Sequence, residues 1–101
     1  MKTLLNSVTS DITSLPLYIS PQRQRLGGAV PFQIFGIINA NVIFEGTLVS
    51  DISDLPTANW SPIANAVFSQ DTCDGLFVMF NHIRAKVFNY TSGSITVTLD
   101  T

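Results

Sequence analysis

Residues that carry chemistry are scarce in this chain. It has one cysteine and one histidine. Cys73 can close no disulfide within the chain, which fits assembly in a reducing cytosol. Next to Asp74 and Gly75, it reads as a loop or strand-start thiol rather than a nucleophile. His82 sits in an Asn-His pair between two apolar runs and reads as a turn residue without a chemical role. A catalytic site needs a nucleophile, a base and a group that orients the base. No serine or carboxylate motif lies beside His82. Glycine-rich phosphate loops, H-E-x-x-H and Cys/His zinc spacings are absent. The reading is therefore no enzyme, with no catalytic, cofactor-binding or metal-binding residues.

Charge is the second shortage. Charged residues make up 12% of the chain, against roughly 25% in ordinary globular domains. The five basic residues, Lys2, Arg23, Arg25, Arg84 and Lys86, leave a net charge of −2. Nucleic-acid-binding domains are usually basic on one face, so that class is excluded. Long apolar runs are missing as well. The most apolar stretch, residues 30–44, is interrupted by Gln33, Asn39 and Asn41. It falls short of the ~20 apolar residues of a membrane-spanning helix, and the N-terminus shows no secretory h-region. No membrane partner is expected.

The charge that exists is uneven. Residues 1–30 hold Lys2, Arg23 and Arg25 against Asp11, whereas residues 45–74 hold Glu45, Asp51, Asp54, Asp71 and Asp74 with no base. Asp51/Asp54 and Asp71/Asp74 each form D-x-x-D in a loop, the only constellation with the look of a cation site. Loop aspartates more often cap turns through neighbouring backbone, and that is the reading here.

What is present is apolar residue with a two-residue period. Hydrophobic residues make up 46% of the chain, so one domain spanning 1–101 with a real core is expected. In residues 83–99, Ile83, Ala85 and Val87 alternate with Arg84, Lys86 and Phe88. Thr91 to Ser94 is polar, and Ile95, Val97 and Leu99 then alternate with Thr96 and Thr98. This predicts an antiparallel hairpin with one buried face. Residues 32–38 and 42–49 predict two strands joined by a turn at 39–41, with Gly46 marking a bulge or an aromatic ring packed over it. Residues 2–8, 15–19, 58–63, 66–70 and 76–80 predict further short strands, with turns or loops at 9–14, 20–28, 50–57 and 69–75. Trp60 reads as core. The sum is an all-β antiparallel sandwich, jelly-roll or immunoglobulin-like, of about seven or eight short strands. Residues 1–30 form a less regular N-terminal arm.

Four stretches carry a resemblance: A-N-V-I-F-E-G-T-L at 40–48, N-W-S-P-I at 59–63, G-L-F-V-M-F at 75–80 and I-R-A-K-V-F-N-Y-T-S-G-S-I-T-V-T-L at 83–99. In order and spacing they resemble a small β-sandwich module of tailed-bacteriophage structural proteins, over about residues 32–100. The 50–59 stretch departs from that pattern. The resemblance implies a non-enzymatic virion protein assembled in the bacterial host cytoplasm. Its first form is a capsid decoration, or cement, protein on the major capsid protein or other virion subunits, with dimers or trimers on the particle. The alternative is a tail, baseplate or fibre module that binds carbohydrate, with Trp60 as the first aromatic expected at the surface. Contacts with partners are expected from the N-terminal arm through Arg23 and Arg25, and from Arg84 and Lys86 on the wet face of the last strands. The loops at 50–59 and 69–75 are the other candidate surfaces.

Overall fold

The computed structural model describes residues 2–19, 29–77 and 80–100. Among them the chain is all-β, with seven strands in one antiparallel sheet that folds over on itself into a sandwich-like body. The strands are β1 (Lys2–Val8), β2 (Ile12–Thr13), β3 (Leu17–Tyr18), β4 (Ala29–Thr47), β5 (Ser61–Phe68), β6 (Thr72–Phe77) and β7 (His82–Leu99). A single 3-10 helix, Ile52–Thr57, lies between β4 and β5.

The backbone of the fold is a ribbon of two long strands. β4 spans 19 residues and β7 spans 18. They pair along almost their whole length, from Phe32 opposite Leu99 to Thr47 opposite His82. The expected hairpin within residues 83–99 therefore does not form, and neither does the expected turn at 39–41. The reason is positional. The polar stretches of the two strands lie across from each other, Asn39 opposite Ser92 and Asn41 opposite Phe88. Both strands slip register there and bend together; neither reverses.

The bend depends on two glycines that face each other. Gly36 has φ +90° and Gly93 has φ +123°, backbone that side chains with a Cβ rarely adopt. A Cβ on Gly36 would run into the Ser94 carbonyl oxygen, and one on Gly93 would lie 2.5 Å from the Gly36 carbonyl oxygen. Asn89 also takes a positive φ of 53°, which asparagine tolerates better than most residues. Tyr90 supports the bend by donating from its hydroxyl to the Gly93 carbonyl at 2.6 Å.

Folding the ribbon creates two layers. The first contains β6, residues 29–37 of β4, residues 93–99 of β7, and β1; the second contains β5, residues 39–47 of β4, residues 82–88 of β7, and the short β2 and β3. Alternation then does the sorting. Val30, Phe32, Ile34, Ala40, Val42 and Phe44 of β4 point inward, as do Ile83, Ala85, Val87, Ile95, Val97 and Leu99 of β7. The inward face expected for residues 83–99 is thus the observed one, although its two halves face each other across the core instead of pairing side by side. The layers meet through aromatic rings: Phe32 lies 5.1 Å from Phe44 and 5.2 Å from Phe68, centroid to centroid.

Other boundaries shift. The expected turn at 9–14 contains β2, bonded to β7 through Ile12–Val87 and Thr13–Lys86. The strands expected at 58–63 and 66–70 are one strand, β5, with Pro62 near its start on the sheet edge. The loop expected at 69–75 ends early, because Thr72 to Gly75 already pair with β4. Residues 2–19 of the expected arm lie in the sheet, and the expected loop at 20–28 is outside the described residues. Of the two expectations for Gly46, the overlying ring is the observed one: the Phe80 ring lies where a Gly46 Cβ would point, whereas the register shift between β4 and β5 puts its extra residues on β5, between Pro62 and Val67.

Candidate functional site

The outward face of the second layer builds the most distinctive surface. At the start of β7, the outward positions are His82, Arg84 and Lys86. β3 lies beside them, with Tyr18 opposite His82. The 48–60 segment leaves the end of β4 and comes back over this same corner.

Polar contacts pin that segment to β7. The Asn81 amide Nδ2 donates to the Leu48 carbonyl at 2.6 Å, and the Asn81 backbone N–H donates to the Thr47 carbonyl at 3.0 Å. His82 Nδ1 lies 2.8 Å from the Val49 carbonyl oxygen. A carbonyl can only accept, so this nitrogen carries the proton. The imidazole also meets the Tyr18 ring edge-on, with centroids 5.3 Å apart. His82 is therefore a buried strand residue that anchors a loop, not the turn residue expected. The sequence contains the signal only indirectly, since a polar residue at a strand start reads like a turn.

The 3-10 helix is capped by Asp51. Its carboxylate accepts from the Ser53 backbone N–H at 3.0 Å and the Ser53 hydroxyl at 2.9 Å. These two donors hold the Asp51 carboxyl below its ordinary pKa. The helix buries none of its residues, so its apolar side chains face outward.

Trp60 departs from the expected core position. It is half-buried at the end of this segment, and the Arg84 guanidinium carbon lies 4.2 Å from the centre of its ring. On the other side, Arg84 Nε donates to Glu45 Oε1 at 2.9 Å. Glu45 and Arg84 are register partners on β4 and β7. The guanidinium is thus held between a carboxylate and an indole. Cation–π contacts contribute from about 0.5 to about 2 kcal/mol as the site becomes drier.

Together these elements enclose a groove of about 490 Å³. It is lined by Leu15, Pro16 and Tyr18 at β3, by Ile52, Leu55, Pro56 and Trp60 of the 48–60 segment, and by His82 and Arg84 of β7. Several of these apolar side chains are open to water: Leu15 is 84% exposed, Ile52 77% and Tyr18 49%. The size falls within the ~300–1,000 Å³ usual for ligand pockets.

The sequence-derived contact residues divide. Arg84 is in the groove but already paired with Glu45. Lys86 is partly buried on the outward face, opposite Ile43 on one side and Thr13 on the other. Arg23 and Arg25 lie outside the described residues. The groove draws on the expected arm and the 50–59 loop. Its individual members Leu15, Tyr18 and Ile52 were not singled out, because an isolated apolar residue in a polar loop has no periodicity to flag it.

Three of the four carboxylates of the D-x-x-D pairs, Asp51, Asp71 and Asp74, accept from backbone N–H groups. Asp71 Oδ1 accepts from the Ile37 N–H at 2.9 Å, and Asp74 Oδ1 accepts from the Gly75 N–H at 2.7 Å. Among the described residues, no three His, Cys, Asp or Glu side chains gather as metal ligands, and no helix is long and apolar enough to cross a membrane. Fold and groove together define an all-β module with an open, largely apolar groove on one face. No family model, curated protein or solved structure matches this chain.

Proposed function

We propose that this chain is a non-enzymatic virion structural protein of a tailed bacteriophage, in the first place a capsid decoration protein bound to the major capsid protein. The observation that carries the reading is the open apolar groove, in a chain with only 12% charged residues. Apolar side chains left exposed side by side mark surfaces that another molecule covers. The motif resemblance over residues 32–100 supplies the kind of assembly. Stable contacts bury about 1,600 Å², and a lattice repeats each contact many times, so modest individual affinities add by avidity. Two or three copies around a local symmetry axis would fit that geometry.

The test is particle composition. The protein should be present in purified particles at a fixed copy number relative to the major capsid protein. Particles made without it should lose integrity at lower temperature. Its absence from particles, or unchanged particle stability without it, overturns the reading. A carbohydrate-binding tail or fibre module is the second reading, favoured by the position of Trp60 in the groove wall. It predicts saturable binding of cell-surface glycans, with localisation to the tail by electron microscopy.

A further inference from the structure

We infer that the groove takes an extended, uncharged, proline-containing segment of a partner subunit, held in the left-handed polyproline conformation. This rests on the reading of the chain as an attachment module and names what the attachment grips.

Charge is the first argument. Arg84 is the one ionised side chain among the described groove residues, and Glu45 neutralises it at 2.9 Å. The indole of Trp60 covers the guanidinium. The groove therefore offers no net charge to a phosphate, a carboxylate or a basic peptide, and a neutral segment is its electrostatic complement.

The walls are the second argument. Polyproline segments dock in grooves lined by aromatic rings, and they arrive already ordered, so little entropy is lost on binding. Tyr18 and Trp60 both line the groove here, together with Pro16 and Pro56. The polyproline helix satisfies none of its own carbonyls, so a groove that grips it needs a donor. The Trp60 indole N–H is such a donor and has no acceptor among the described residues. A sugar, by contrast, would bring several hydroxyls against walls made largely of Leu, Ile and Pro side chains, where each unmatched polar group is costly.

Trp60 is the sole tryptophan, so its emission reports on the groove directly. The experiment titrates the full chain with a blocked oligoproline peptide, a blocked Ala-Pro-Leu-Pro repeat peptide and, separately, maltohexaose and chitotetraose. The proposal expects a saturable change of emission with the peptides only. Leu15→Asp and Ile52→Asp, both at exposed positions, should weaken that binding by about tenfold or more while leaving the circular dichroism and melting curve unchanged. No saturable change with either peptide, unchanged affinity in both variants, or saturation by an oligosaccharide instead would each overturn it. Failure here with the protein still present in particles removes the peptide-groove inference alone. Peptide binding by a protein absent from particles removes the virion reading alone.

Discussion

The inward face of the β4–β7 ribbon and the outer corner where β3 and the 48–60 segment meet β7 both carry apolar side chains, yet these meet different fates. Inside, Val42, Phe44, Ile83 and Val97 are wholly buried. Outside, at the corner where β3 and the 48–60 segment meet β7, Leu15, Tyr18 and Ile52 remain largely exposed. The first set is consumed by folding, each side chain contributing about 1.5–3 kcal/mol through burial. The second set contributes little to stability, because water still reaches it. The difference separates what makes the fold from what is left for a partner, and it can be broken from either side.

The largest effect should come from the inner face. Phe44 is fully buried and meets Phe32 across the layers and Phe68 within its own layer. Phe44→Ala should cost about 3–5 kcal/mol, enough to unfold a small domain of ordinary stability. Urea unfolding followed by circular dichroism measures it. A loss under ~1 kcal/mol would mean that the layers do not meet through these rings.

Next is the bend. Gly36→Ala forces a Cβ into the Ser94 backbone at φ +90°, and backbone cannot swing aside as a side chain can. Strain of this kind is worth about 1–3 kcal/mol, and the clash adds to it. Because the ribbon folds here, the substitution should loosen both layers together. Hydrogen exchange should rise in residues 30–34 and 40–44 alike. Faster exchange confined to residues near 36 would show that the bend is not what couples the layers.

These two predictions mark how far the sequence was legible. Alternation identified the buried set at Ile83, Ala85, Val87, Ile95, Val97 and Leu99, because the parity of a strand survives a bend. It could not show that the strand continues. Thr91 to Ser94 has the composition of a turn, and so does Asn39 to Asn41; only their pairing across two strands turns both into one bend. The groove was less legible still. Trp60 looked like core because large aromatics usually are, and its surface position depends on Arg84 and Glu45, which are far from it in sequence. His82 looked idle because its partner, the Val49 carbonyl, is a backbone atom 33 residues away. Local pattern reports which face a residue takes; it does not report which distant group meets it there.

The Glu45–Arg84–Trp60 stack joins the two regions, and its disruption should have an intermediate effect. Glu45→Ala leaves a half-buried guanidinium with only an indole against it. Removing one partner from such a charge-assisted bond costs about 1–3 kcal/mol, and the low end applies because the Arg84 side chain is still 26% exposed. Glu45→Gln keeps an acceptor and should recover part of the loss. The same substitution leaves the groove cationic, so it should favour acidic peptides over neutral ones. Unchanged selectivity would show that charge balance does not set the occupant. On the outer wall, Leu15→Asp and Ile52→Asp should shift stability by no more than about 0.5 kcal/mol while abolishing most groove binding. A large stability loss there would erase the distinction between the two faces.

The smallest effect concerns acid. The Asp51 carboxyl is held below its ordinary pKa by the Ser53 backbone N–H and hydroxyl. A group whose pKa is lower in the folded protein than in the unfolded chain favours the folded form at neutral pH. That contribution is lost as the pH falls through the folded value. Asp51 is fully exposed and lies outside the core, so acid should loosen the 3-10 helix without melting the sandwich. Ile52, the next residue, forms part of the groove wall, so peptide affinity should decline below the ordinary carboxylate range while the circular dichroism of the sheet holds. Asn is as good a helix cap as Asp but does not titrate, so Asp51→Asn should keep the groove at neutral pH and remove this acid dependence. If the variant and the native chain lose peptide affinity at the same pH, the cap does not position the groove wall, and the acid sensitivity belongs to another carboxylate.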